Sequence, residues 1–149
     1  DIKAIDDAAY LHDVGKVLIP PEVLNKPARL DDRETKIMHT HSELSYEILK
    51  NSNLNEKTLQ LIRNHHQNAQ KTGYPWVGKD FNADLNLQIL STADKYSALT
   101  EKRIYKEPMS PKQALTIIYQ DVKEGKLHPF VFKALVNFAN NREPVKTAV

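Results

Sequence analysis

Leu11-His12-Asp13-Val14-Gly15-Lys16 places an imidazole, a carboxylate, a glycine and a lysine within one short stretch. Upstream of it, Ile5, Ala8, Ala9 and His12 recur at the i, i+3, i+4, i+7 spacing of a helix face that packs inward. A His-Asp pair at the buried end of such a face is costly to desolvate unless something pairs with it. A metal ion would do so, since neutral imidazole and carboxylate both suit borderline divalent cations. Gly15 is expected to let the chain turn after the helix. Lys16 then brings a cation beside the site, suited to an anionic substrate. Taken alone, the hexapeptide reads equally well as a helix C-terminus with a capping His and a solvated Asp.

Outward from this stretch, the pattern is helices joined by loops, with no strand-like alternation and no internal repeat. Helices are expected over about residues 1–13, 31–50, 55–66, 85–100, 110–125 and 129–140, giving an all-α bundle. Asp31 with Glu34, and Ser110-Pro111 with Gln113, are start signals of the capping-box kind. Three prolines between Val17 and Leu30 mark a loop with a short turn at Glu22–Asn25. The polar stretch Gln67–Asp84, with Gly73-Tyr74-Pro75 and Gly78, is a long loop of the kind that carries function. Residues 1–141 read as one domain and 142–149 as a tail.

Composition narrows the class. The 149 residues suffice for one core, and the formal charge of +2 argues for neither nucleic acid nor membrane. No apolar run approaches the length of a membrane span. The absence of cysteine excludes disulfides, thiolate metal sites and cysteine nucleophiles, and suits a reducing cytoplasm. The chain opens at Asp1 already inside helical periodicity, so a further upstream segment is expected.

Within that frame, His39 and His41 lie about 200° apart around a helix, so one face cannot hold both. His41 continues the line Ile37, His41, Leu44, Ile48 and is the inward residue; His39 is expected to be solvated. Leu61 with His65, and Ile62 with His66, are i, i+4 pairs that end an apolar face. Asp94 sits on the stripe Leu87, Leu90, Asp94, Ala98. A single inward His is more often a hydrogen-bonded core residue, and Asp94 alone reads equally as an ion-pair partner of Lys16 or Arg103. Four inward histidines and two aspartates at the ends of four helices instead suggest a metal centre, built as bundles build them from facing helices.

These residues come in a recognisable order. Leu11-His12-Asp13-Val14-Gly15-Lys16-Val17 is followed by Ile19-Pro20, Lys26-Pro27, Met38-x-x-His41, His65-His66 and Gly73-Tyr74-Pro75, then Ala93-Asp94, Ala98-Leu99-Thr100 and Arg103-x-Tyr105-Lys106. Over roughly residues 4–135 the chain resembles the HD-GYP domain, a branch of the HD phosphohydrolase superfamily. The resemblance implies a helical bundle that holds two or three divalent metal ions, iron or manganese, and hydrolyses cyclic di-GMP. By position, His12, Asp13, His41, His65, His66 and Asp94 match metal ligands. Asp13, with two oxygens to share, is the natural bridge, and it and Lys16 are the catalytic residues. Lys16, Arg103 and Lys106 match positions that hold phosphate and guanine, and Tyr74 shapes the wall or stacks on a base. The resemblance also implies an upstream sensory or receiver domain, a GGDEF-type partner, a cytoplasmic setting, and no DNA or RNA polymer as partner.

The chain departs from the family pattern at several positions. Gln67 stands for Glu, Gln70 and Lys71 for Asp-Gly, Ser45 for Gly, Ser97 for Asp, and His128 for Asp. A family helix that precedes His12 and carries a further His, often with a Glu, is not in this chain. Two readings follow. One is a metal-dependent cyclic di-GMP phosphodiesterase, in which paired metals neutralise the phosphodiester and steady the attacking and leaving oxygens. The other is a degenerate module that binds the dinucleotide or a protein without cutting.

Overall fold

The computed structural model describes residues 1–103 and 106–142, and the fold is all-α as expected. Tyr105 of the Arg103-x-Tyr105-Lys106 motif and residues 143–149 of the expected tail lie outside the described residues. In chain order come α1 (Ile2–Leu11), a 3-10 helix (Val14–Leu18), α2 (Pro21–Leu24), α3 (Asp32–His39) and α4 (His41–Leu49). They are followed by α5 (Glu56–Asn64), α6 (Leu85–Thr100), α7 (Pro111–Lys123) and α8 (Pro129–Asn141).

The start signals act as their chemistry requires. Asp31 and Ser110 each accept from the backbone N–H three residues on, and the Glu34 and Gln113 side chains accept in return from the cap N–H. His128, which stands where the family pattern has an Asp, caps α8: its Nδ1 accepts from the Phe130 N–H at 3.1 Å. An imidazole lone pair thus replaces a carboxylate oxygen, and the departure leaves the helix start intact.

Two apolar clusters share α6. Ala4 and Ala8 of α1 meet Leu61 and Ile62 of α5 and Leu87 and Leu90 of α6. On the other side of α6, Tyr96 and Leu99 pack against Ile118 of α7 and Val131 and Leu135 of α8. The first cluster holds the helices that carry the inward histidines, and the second braces α6 from behind.

Three expectations are corrected. The helix over 31–50 is two helices, broken at Thr40, whose hydroxyl and N–H both bond to the Ile37 carbonyl, at 2.6 and 3.1 Å. That three-residue closure tightens the chain into a 3-10 turn. The inward face of α4 is His41, Ser42 and Ser45, while Ile48 is exposed. Finally, Gly15 has no left-handed backbone; it is needed for space. A Cβ there would lie 2.3 Å from the His41 carbonyl oxygen and 2.4 Å from the Ser45 nitrogen.

Candidate metal centre

The close approach at Gly15 brings the 3-10 helix onto α4 and fixes where Asp13 and His41 meet. Ser45, fully buried, mediates the contact: its Oγ accepts from Gly15 N–H at 2.8 Å and faces the His12 and His41 carbonyls, each at 2.8 Å. A hydroxyl both accepts and donates, so the departure from glycine at this position adds bonds between the two ligand-bearing segments.

The inward histidines arrive at helix ends. His12 caps α1, His41 opens α4, His65 caps α5 and His66 follows it. Three of them are held alike. Nδ1 of His12, His41 and His65 donates to the carbonyl three residues back, Ala9, Met38 and Ile62, at 2.8, 2.7 and 2.7 Å. A carbonyl can only accept, so the proton resides on Nδ1 and in the neutral ring Nε2 carries a lone pair. Ligating histidines are characteristically oriented in this way.

The Nε2 atoms of His41, His65 and His66 converge. Nε2 of His41 lies 3.4 Å from Nε2 of His65 and 3.2 Å from Nε2 of His66. With Nδ1 of both His41 and His65 committed to carbonyls, the two neutral rings face each other through lone pairs and repel unless a cation lies between them, so the donor set fits a metal. Two groups form, His41 with His65 and His66, and His12 with His65 and Asp94. His65 belongs to both but has one free nitrogen, so it serves one ion. Asp13 lies between them: Oδ1 is 3.3 Å from His41 Nε2, and Oδ2 is 3.3 Å from His12 Nε2. Asp94 Oδ1 lies 3.1 Å from His12 Nε2, and Lys16 Nζ lies 3.1 Å from Asp13 Oδ2. Asp94 is thus paired with His12, and Lys16 with Asp13.

Titration follows the geometry. Burial disfavours charge on His12, but hydrogen bonds to Asp13 and Asp94 outweigh it and raise its pKa to about 10. Burial opposes charge on Asp13 and Asp94 too, yet the His12 hydrogen bond holds both below the ordinary carboxylate range. Burial lowers His65 to about 4 and, with the neighbouring His65 and His41, lowers His66 to about 3. Both carboxylates are therefore charged and both of these imidazoles neutral at pH 7, the states in which they ligate.

The Gly73-Tyr74-Pro75 loop closes one side. Tyr74 stacks on His66, with centroids 4.6 Å apart and planes at 21°. On its other face lies His39, at 3.7 Å and 8°. His39 was expected to be solvated; the residue is exposed, but one face of its ring is covered. Burial, and secondarily His41, lowers its pKa. Gly73 passes so near the chain that a Cβ would meet the His66 carbonyl oxygen at 1.9 Å.

The substitutions in this loop hold it in place. Gln67 Nε2 donates to the Pro75 carbonyl at 2.8 Å while its Oε1 accepts from Gly73 N–H at 3.1 Å, a pairing of donor and acceptor that a carboxylate could not make. Gln70 Nε2 donates to the Gly125 carbonyl at 3.3 Å, and Lys71 Nζ to the Lys79 carbonyl. Ser91, a residue with no sequence signal, donates through Oγ to the His65 carbonyl at 2.6 Å and ties α6 to the end of α5. Arg103 and Lys106 lie in the loop after α6, exposed and paired through their backbones; among the described residues neither side chain bonds to the cluster. A cavity of about 410 Å³ runs from His65, His66 and Asp94 toward Lys95, Asp121 and Lys126.

A family model described as HD domain matches residues 2–131. The chain belongs to the HD domain family. The curated relatives of this HD domain include the 3'3'-cGAMP-specific phosphodiesterase 2 of Vibrio cholerae, 38% identical over 73% of the chain and 21% of the relative. Another is the cyclic di-GMP phosphodiesterase response regulator RpfG of Xanthomonas campestris, 36% identical over 80% of the chain and 32% of the relative. The cyclic di-GMP phosphodiesterase of Thermotoga maritima is 32% identical over 91% of the chain and 37% of the relative. The HD domain thus spans about a fifth to two fifths of the length of these relatives. Among its described residues no helix is long and apolar enough to cross a membrane.

Proposed function

We propose that this HD domain is the metal-dependent hydrolytic part of a cyclic dinucleotide phosphodiesterase, with cyclic di-GMP as substrate. The observation that carries the proposal is the gathering of the backbone-anchored Nε2 atoms of His12, His41 and His65 around the two oxygens of Asp13. His41, His65 and His66 would hold one divalent ion, His12 and Asp94 a second, and Asp13 would join the two; iron or manganese suits this nitrogen and oxygen set. When bound, such ions supply charge neutralisation and an activated nucleophile for phosphodiester hydrolysis.

The chain's own residues do the rest. Lys16, on the rim beside Asp13, offers a mobile cation to a phosphate oxygen. Tyr74 closes the wall next to His66 and excludes water from that side. Arg103 and Lys106, paired in one turn, present two cations to the dinucleotide. The relatives named for cyclic di-GMP and for cGAMP make a cyclic dinucleotide the common substrate class. A cytoplasmic setting, an upstream sensory or receiver domain and a GGDEF-type partner belong to the same proposal; one relative is itself named a response regulator.

The test is metal analysis of the purified protein, followed by incubation with cyclic di-GMP and with 3'3'-cGAMP and chromatography of the products. Bound metal with linear dinucleotide or GMP supports the proposal. Metal without turnover of either dinucleotide refutes it in favour of a binding module.

A further inference from the structure

We infer that His39 is a positioning residue for the metal centre: its ring clamps Tyr74 against His66 and thereby sets the orientation of the His66 imidazole. The inference rests on reading the cluster as a metal centre. His12, His41 and His65 take their orientation from a carbonyl of their own chain segment. His66 lies beyond the end of α5, and among the described residues its ring makes one polar contact, to Nε2 of His41 at 3.2 Å. That contact lies inside the cluster and would be exchanged for a metal bond on loading. The ring is held instead by its flanks, with His65 tilted against it at 4.1 Å and Tyr74 stacked at 4.6 Å.

The Tyr74 backbone is held by Gln67 at Gly73 and Pro75 and by its own N–H to the His66 carbonyl at 3.2 Å, but these bonds do not stop its ring from turning about the side-chain bonds. Its other face, however, is covered by His39 at 3.7 Å and nearly parallel. His39 is the last residue of α3, a helix anchored at its start by the Asp31–Glu34 capping box. The three rings therefore form a column from a rigid helix, through the loop, to a ligand that has no anchor of its own. A neutral or aromatic plane at position 39 is what the column needs; a proton-bearing nitrogen is not.

The experiment compares the wild type with His39→Ala, which removes the plane, and His39→Phe, which keeps it. Mn(II) affinity is measured by competition with a fluorescent chelator, and the His66 imidazole resonances of the metal-free proteins by NMR. We expect His39→Ala to bind Mn(II) about tenfold more weakly, the usual scale for loss of a group that orients a ligand, and His39→Phe to stay within about twofold. The His66 resonances should move in His39→Ala and hold their place in His39→Phe. Because His39 is exposed, both variants should melt close to the wild type. Unchanged affinity in His39→Ala overturns the inference, as does a His39→Phe variant as weak as His39→Ala. A wild type that binds no Mn(II) refutes the metal centre itself and the inference with it, which distinguishes the two failures.

Discussion

Replacing Gly15 by alanine tests whether the site depends on the close approach of two backbones. The new Cβ would sit 2.3 Å from the His41 carbonyl oxygen and 2.4 Å from the Ser45 nitrogen, both backbone atoms that no rotamer change can move. Ordinary contact begins at 3.4 Å, so the 3-10 helix and α4 must part by about 1 Å. Overpacking of this kind costs about 1–3 kcal/mol. The retreat also stretches the Gly15 N–H to Ser45 bond, now 2.8 Å, worth about 1 kcal/mol. The expected loss is about 2–4 kcal/mol, or roughly 6–12 °C in Tm for a domain of this size. Urea denaturation followed by circular dichroism measures it, with Gly78→Ala as control. Nothing lies within 4 Å of a Cβ at Gly78, so that variant should lose no stability. Asp13 and His41 flank the parted segments, and their 3.3 Å separation must widen, so Mn(II) affinity should fall along with stability. A Gly15→Ala protein within about 0.5 kcal/mol of the wild type, a shift ordinary for a surface change, would refute the reasoning.

Ser45→Ala leaves the buried Gly15 N–H without its acceptor and should cost about 1–3 kcal/mol in chemical denaturation; a neutral result would mean the N–H finds another partner. Gln67→Glu replaces the donor to the Pro75 carbonyl with an acceptor in a buried position, and about 1–3 kcal/mol should be lost from the same measurement. Asp13→Ala should reduce bound metal, read by elemental analysis, while the far-ultraviolet spectrum stays helical; full metal retention would show that Asp13 is no ligand. Chelation should leave helix content unchanged, because His12, His41 and His65 are held by backbone carbonyls whether or not an ion is present. A large loss of circular dichroism signal on adding chelator would count against that.

Much of the fold was legible because helix chemistry is local. Asp31 with Glu34, Ser110 with Gln113, and the bounds of α6 can be read from neighbours in sequence. The inward His and Asp residues were legible for the same reason, since periodicity shows which face turns toward the core. What periodicity does not carry is the meeting of distant segments. Ser45 reads as a small polar residue until Gly15, thirty positions earlier, is laid against it. His39 looks solvated on a helical wheel because the wheel contains no loop, yet Tyr74 arrives from 35 positions away. The break at Thr40 escaped for a subtler reason: it arises from a hydroxyl choosing the Ile37 carbonyl, a competition that helical periodicity does not register.

The three carbonyl-locked rings have one more consequence. Each takes its aim from the helix end that carries it, so the nitrogens cannot swivel to follow a metal; they move only when their helices move. An ion seated among them is therefore a gauge of helix spacing. Substituting a paramagnetic or coloured ion would turn small relative shifts of α1, α4 and α5 into a change of spectrum.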